Sequence, residues 1–222
     1  MIKDRKIQRE IIAKRVAKEL KDGDLVNLGI GIPTLVANYI PQKIKVFLHS
    51  ENGIVGMGPA VSGNDIDPDM TDAGGNPVSF LKGAVSFDSA LSFLIIRGGH
   101  LDITVLGALQ IDSTGKLANW KIPGKFVPGM GGAMDLVTGS KKVIAAMTHI
   151  SKNGPKIVEK LSLPKTSIRP VDLIVTEMAV IKPTDEGLLL KELAPDTSLE
   201  EVIKNTEAKL IISNDLKTMD II

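Results

Sequence analysis

Residues 24–40 read DLVNLGIGIPTLVANYI, and their reading decides the fold class. The apolar start predicts a strand, the glycines at 29 and 31 a turn, and Pro33 the first turn of a helix, where its missing N–H costs nothing. Upstream, Ile7, Ile11, Ile12, Val16 and Leu20 recur at helical spacing and Gly23 is a natural stop. The spacing predicts an amphipathic helix over residues 4–21. Downstream, residues 44–49 form a second strand.

The alternation continues along the chain. Residues 61–77 are polar and turn-rich, an excursion rather than a linker, because structure resumes on both sides. SALSFLIIRGGH is a helix closed by Gly98 and Gly99, followed by strands in DITVLGALQI and a turn at DSTGK. GMGGAMDLV is a glycine turn opening a helix, and KVIAAM is a strand. The last third gives VDLIVTEMAVI, GLLLKEL, a short helix from Thr197 with a Thr197/Glu200 capping box, and KLIIS. DLKTMD near the end reads as solvated surface. Several strands are apolar throughout, as required where both sheet faces are covered. The expected fold is α/β, one domain over residues 1–222, with an open, mostly parallel sheet covered by helices.

Composition narrows the function. The 222 residues carry a formal net charge of +1, without the basic stripe of a nucleic-acid binder. There is no Cys, which removes thiolate nucleophiles, disulfides and Cys-type zinc sites together. No segment reaches the ~18 apolar residues that span a bilayer, and the charged N-terminus is not a signal peptide. The expectation is a cytoplasmic protein with no membrane or nucleic-acid partner. Aromatics at 3% are too few for a base- or sugar-stacking surface.

The NLGIGIP turn invites a dinucleotide reading but holds Thr34 where the fingerprint needs its third glycine. His49, His100 and His149 have no partner at ligand spacing, so no metal site is expected and they read as core or loop residues. No G-x-S-x-G elbow supports a serine triad. Arg97, before GGH, reads as a cation at a helix C-terminus in preference to a phosphate ligand.

Glu51 is different. It follows the strand that ends IKVFLH and precedes Asn52, Gly53, Gly56 and Gly58, so it is either a charged turn residue or a carboxylate that the chain presents. A second glycine cluster, Gly129, Gly131 and Gly132, adds backbone N–H groups able to stabilise an oxyanion.

SENGIVGMGP with AGG, SFLIIRGGHLDITVLGALQID, LANWKIPGK and GMGGAMDLV, in that order, closely resemble the beta subunit of the 3-oxoacid CoA-transferases. These are family I CoA-transferases, and the nearest likeness is to the bacterial acetoacetate (butyrate/acetate) type. The resemblance spans about residues 5–219. It implies that Glu51 is the nucleophile and forms a glutamyl-CoA thioester. It places Gly132 and Ala133 as backbone amides near the glutamyl carbonyl, Asn27 as a polar active-site residue, and Gly31 along the CoA path. It implies no cofactor beyond the CoA thioester substrate, and a separate alpha subunit in a heterotetramer. Acetate, butyrate, succinate and 3-oxoadipate remain open as acids. The animal mitochondrial relatives carry Lys where this chain has Gly75, so that charge is missing here.

A rival of another class is a non-enzymatic module that binds a sugar phosphate or another small molecule, since the same kind of fold serves many functions. It accounts for the glycine loops but gives Glu51 no task.

Overall fold

In the computed structural model, residues 4–124 and 131–221 are described. Helix α1 (Arg5–Ala17) starts on Asp4, whose carboxylate accepts the Lys6 N–H. It lays Ile11, Ile12 and Val16 on Val26, Leu48, Ile103, Val105, Ile144 and Val175. The expected helix ran to residue 21. Instead Lys18, Glu19 and Leu20 bond three residues back, to Arg15, Val16 and Ala17, so the helix tightens before Gly23 while Leu20 stays buried.

Ten strands form one sheet. In chain order they are β1 (Leu25–Leu28), β2 (Phe47–Ser50), β3 (Ile54–Ala60), β4 (Val78–Ser86), β5 (Ile103–Leu106), β6 (Lys142–Ala146), β7 (Leu173–Val175), β8 (Ala179–Thr184), β9 (Gly187–Leu193) and β10 (Leu210–Thr218). Across the sheet the order is β10-β9-β8-β7-β6-β5-β1-β2-β3-β4. The middle run from β7 to β2 is parallel throughout, as is the β9–β10 pairing. The remaining pairings are antiparallel hairpins on either flank. This is the expected open, mostly parallel sheet.

The two faces are covered differently. Helix α1 and the 3-10 segment Pro33–Tyr39 cover one. On the other, Ile96, Leu136, Val137 and Val202 pack from α2 (Ser89–Arg97), α3 (Ala133–Gly139) and α4 (Leu199–Lys204). Alternation along β5 sends Ile103 and Val105 towards α1 and Leu106 towards α2 and α3.

Four local readings change. The segment after Pro33 is a 3-10 helix, not an α-helix. Gly56 and Gly58, read as turn residues, lie inside β3. At Gly56 φ is +88 and an added Cβ would sit 2.9 Å from Ala84, while at Gly58 it would sit 2.5 Å from Ser79 Oγ. The strand register shifts on both sides of Met57, so these glycines allow bulges and close strand contact. Residues 61–77 then join β3 to β4. The helix expected from Thr197 is capped by Ser198 with Glu201, one residue later. TSLEE satisfies the capping pattern in both frames, and Asp196, at φ +60, turns the chain so that Ser198 is the extended residue before α4. Finally, β10 runs on to Thr218 and buries Met219, so part of DLKTMD is structured.

Candidate active site

Ser50 pairs with Ile54 across the β2–β3 hairpin, so Glu51, Asn52 and Gly53 are its three-residue tip. The tip is fastened from several sides. The Gly53 N–H donates to Ser50 O at 2.9 Å, and the Phe87 N–H donates to Gly53 O at 2.9 Å. A Cβ on Gly53, at φ +119, would lie 1.9 Å from Phe87 O, so only glycine fits. The Ala73 N–H donates to Ser50 Oγ at 2.9 Å, and Asn52 Nδ2 donates to Thr71 O at 2.7 Å. The 61–77 connection is therefore folded back onto the hairpin tip. Asp72 Oδ1 organises that segment by accepting the Gly74 and Asn76 N–H groups, each at 2.8 Å.

The Glu51 carboxylate is half-buried, and its Oε1 accepts the Gly132 N–H in a long contact of 3.4 Å. A Cβ on Gly132 would stand 2.4 Å from Glu51 Oε2 and 3.1 Å from the Phe93 ring. A side chain there would have to displace the carboxylate itself. Burial raises the Glu51 carboxyl above its ordinary range, the Gly132 N–H pulls it down, and the Asp135 carboxylate pushes it up again. Asp135 is held by Arg97, whose Nε donates to its Oδ1 at 2.7 Å. Arg97 does end α2, as a helix-terminal cation should, and its partner there is a carboxylate of α3.

Among the residues proposed from sequence, Glu51 and Gly132 come together. Ala133 follows as the first residue of α3, and no described hydrogen bond joins it to Glu51. Gly129 lies outside the described residues. Gly31, at φ +96, has nothing within 4 Å of an added Cβ and borders open space on the β1 turn, while its carbonyl accepts Thr34 Oγ1. Asn27 is buried below the tip, and its amide is spent on His49 rather than on Glu51. His49 and His149 are core residues, and burial lowers each to about 4. His100 is exposed. Among the described residues no group of three or more His, Asp or Glu could hold a metal ion.

A profile of the family described as Coenzyme A transferase matches residues 9–205. The chain belongs to the coenzyme A transferase family. The beta subunit of acetate CoA-transferase from Escherichia coli (strain K12) is 53% identical over 208 residues, covering 93% of this chain and 95% of that one. Succinyl-CoA:3-ketoacid coenzyme A transferase 2A, mitochondrial, of Rattus norvegicus is 49% identical over 220 residues, covering 98% of this chain but 42% of that one. Among solved structures, the apoenzyme of an acyl-CoA transferase from Escherichia coli O157:H7 superposes with a TM-score of 0.77 at 24% identity. It covers 96% of this chain and 43% of that one.

Sequence reasoning about this CoA-transferase missed Ser50, Asp72, Ser92, Phe93 and Asp135 as parts of the site. They come from four separate stretches, and each is an ordinary strand, loop or helix residue in its own neighbourhood. One signal was available for Ser92: a serine inside the apolar run LSFLII needs a buried partner. Among the described residues no helix is long and apolar enough to cross a membrane.

Proposed function

We propose that this chain is the beta subunit of a 3-oxoacid CoA-transferase that moves CoA between acetoacetyl-CoA and a short-chain acid such as acetate or butyrate. The observation that carries the reading is the Glu51 carboxylate, presented on a stapled hairpin tip beside the Gly132 N–H. The names of bacterial relatives, given as beta subunits, support it. In the proposed reaction Glu51 attacks the acyl-CoA carbonyl and expels CoA thiolate, leaving a mixed acyl-glutamyl anhydride. The thiolate then attacks the glutamyl carbonyl, releasing the first acid and forming a glutamyl-CoA thioester. The incoming acid reverses both steps.

A carboxylate suits this task because exchange between thioester and acid is nearly thermoneutral. The intermediate must keep the thioester's energy, which an anhydride does and a serine ester would not. The Gly132 N–H is the donor for the developing oxyanion, and half-burial shields the activated glutamyl from water on one side. No cofactor beyond the CoA substrate enters this scheme, and we place it in the cytoplasm. The partner is a separate alpha subunit, in a heterotetramer.

The test uses the enzyme assembled with the alpha subunit. Acyl-CoA without an acceptor acid should load CoA onto Glu51, after which borohydride reduces that residue and hydroxylamine converts it to a hydroxamate. Peptide mapping should find the change within residues 50–53. A label elsewhere, or tight sugar-phosphate binding without CoA transfer, sinks the reading.

A further inference from the structure

Directly under the hairpin tip the sheet carries a polar row where an apolar one would serve packing better. Asn27 stands level with His49 on one side and Thr104 on the other, so the three side chains leave β1, β2 and β5 side by side. Their strand neighbours Val26, Leu48, Ile103 and Val105 pack towards α1, so by alternation this row faces α2. All three are buried, with His49 at 1% and Thr104 at 0% exposure. Facing them, Ser92 of α2 is also fully buried.

The hydrogen bonds fix the protons. Asn27 Nδ2 lies 3.3 Å from the His49 carbonyl oxygen, which can only accept, so Nδ2 is the amide nitrogen. Thr104 Oγ1 donates to the other end, Oδ1, at 3.5 Å. Nδ2 also meets His49 Nδ1 at 3.3 Å, which makes Nδ1 the acceptor and puts the imidazole proton on Nε2. That N–H then donates to Ser92 Oγ at 3.0 Å. Burial lowers His49 to about 4, so this neutral tautomer persists across the range in which enzymes are assayed.

The bond joins the two halves of the site. His49 stands two residues before Glu51 on β2. Ser92 stands one residue before Phe93, whose ring abuts Gly132, and five before Arg97, which grips Asp135 of α3. The strand that carries the carboxylate and the helix that braces its N–H donor are thus tied at one buried point. We propose that His49 and Ser92 are positioning residues whose hydrogen bond sets the distance from the Glu51 carboxylate to the Gly132 N–H. This rests on the reading of Glu51 as the nucleophile. A histidine that merely fills the core would change stability when replaced and leave the rate of the folded enzyme alone.

The experiment compares His49→Leu, His49→Gln, Ser92→Ala and the His49→Leu/Ser92→Ala double variant, each paired with the alpha subunit, then assayed well below its melting temperature. Displacement of a reacting group by ~1 Å can cost ~10²-fold in rate. His49→Leu and Ser92→Ala should therefore each lower kcat and the single-turnover rate of CoA loading by about 10- to 100-fold, with KM changed far less. Glutamine keeps an N–H near the Nε2 position, so His49→Gln should recover most of the rate. The double variant should be no slower than the slower single one, because both remove the same bond. Ser92→Ala deletes one oxygen and keeps the test alive if His49→Leu does not fold. Rates within about twofold of wild type in folded Ser92→Ala and His49→Leu overturn the proposal, as does a loss that glutamine does not restore. Mapping the trapped wild-type enzyme separates the two failures. A label off Glu51 removes the underlying reading, whereas a label on Glu51 with undiminished loading in the variants removes only the role of His49 and Ser92.

Discussion

The role proposed for Glu51 makes two demands that oppose each other. A nucleophilic carboxylate must be ionised, yet burial and Asp135 both favour its protonated form. The native state therefore holds this proton more tightly than the unfolded chain does. As pH rises through the raised pKa, ionisation takes stability away, and the loss persists above it. Glu51→Gln should accordingly melt at or above the wild-type temperature near neutral pH, with the difference closing in acid, while turnover falls to background. Thermal scans and assays on one preparation decide the matter, and a folded variant keeping a tenth of wild-type turnover would exclude Glu51 as the nucleophile. Glu51→Asp keeps the charge but withdraws it by one methylene, at a cost of ~10²-fold or more. Gly132→Ala should be slow for the complementary reason: its Cβ occupies the place of Glu51 Oε2 and pushes the carboxylate away from the N–H that alanine keeps, and loss of such a contact costs ~2.7–4 kcal/mol in turnover. Glu51 stood out in the sequence because a carboxylate followed by glycines breaks the pattern of an apolar strand, and the role of nucleophile was implied only by the family resemblance. Its neighbours Ser50 and Asp72 did not stand out, since they do nothing locally that a strand or a turn does not already explain.

Helices α2 and α3 meet at their C-terminal ends so closely that a Cβ on Gly139 would lie 2.2 Å from Ile96 O, and the Arg97–Asp135 pair spans them. The pair is partly exposed and adds little to folding, but its Asp135 acts on the Glu51 carboxyl. Asp135→Asn removes an anion that raises the Glu51 pKa, so the acid limb of the kcat/KM profile should move to lower pH. Arg97→Gln leaves Asp135 uncompensated and should move it to higher pH. Coincident profiles for wild type and both variants would show that the pair does not act on Glu51. At the other edge of the sheet, Ser198→Ala should destabilise by about 1 kcal/mol through loss of the α4 cap, while Thr197→Ala should do almost nothing. Denaturant midpoints of the two variants separate these frames. Helix α1 was readable from hydrophobic spacing, α2 from the glycines that close it, and the strands from β5 to β7 from continuous apolar runs. The glycine-bearing β3 and the frame of the α4 cap were not, because the residues that mark a turn also permit a bulge, and TSLEE offers two equal caps.

The rat mitochondrial relative matches nearly all of this chain with 42% of its own length, so the matched region is less than half of that longer chain. Here β4 and α2 expose large apolar side chains. Leu81 and Val85 stand 49% and 53% exposed on the edge strand β4, and Leu91 and Leu94 stand 45% and 65% exposed on α2, the helix that carries Ser92 and Phe93. An edge strand and a helix face left apolar call for a cover. If the alpha subunit supplies it, the site is incomplete without it, because the half-buried glutamyl stays open to water on its exposed side. The isolated chain should then show no CoA transfer, and titration with the alpha subunit should restore it to saturation at a fixed stoichiometry. Hydrogen exchange should slow in β4 and α2 on the same titration. Leu94→Asp should weaken assembly, displacing the titration midpoint to higher partner concentration, without lowering turnover at saturation, because exposed Leu94 lies off the buried face that carries Ser92. Robust transfer by the purified chain alone, or unchanged exchange in β4 and α2 on assembly, would refute this account of the surface.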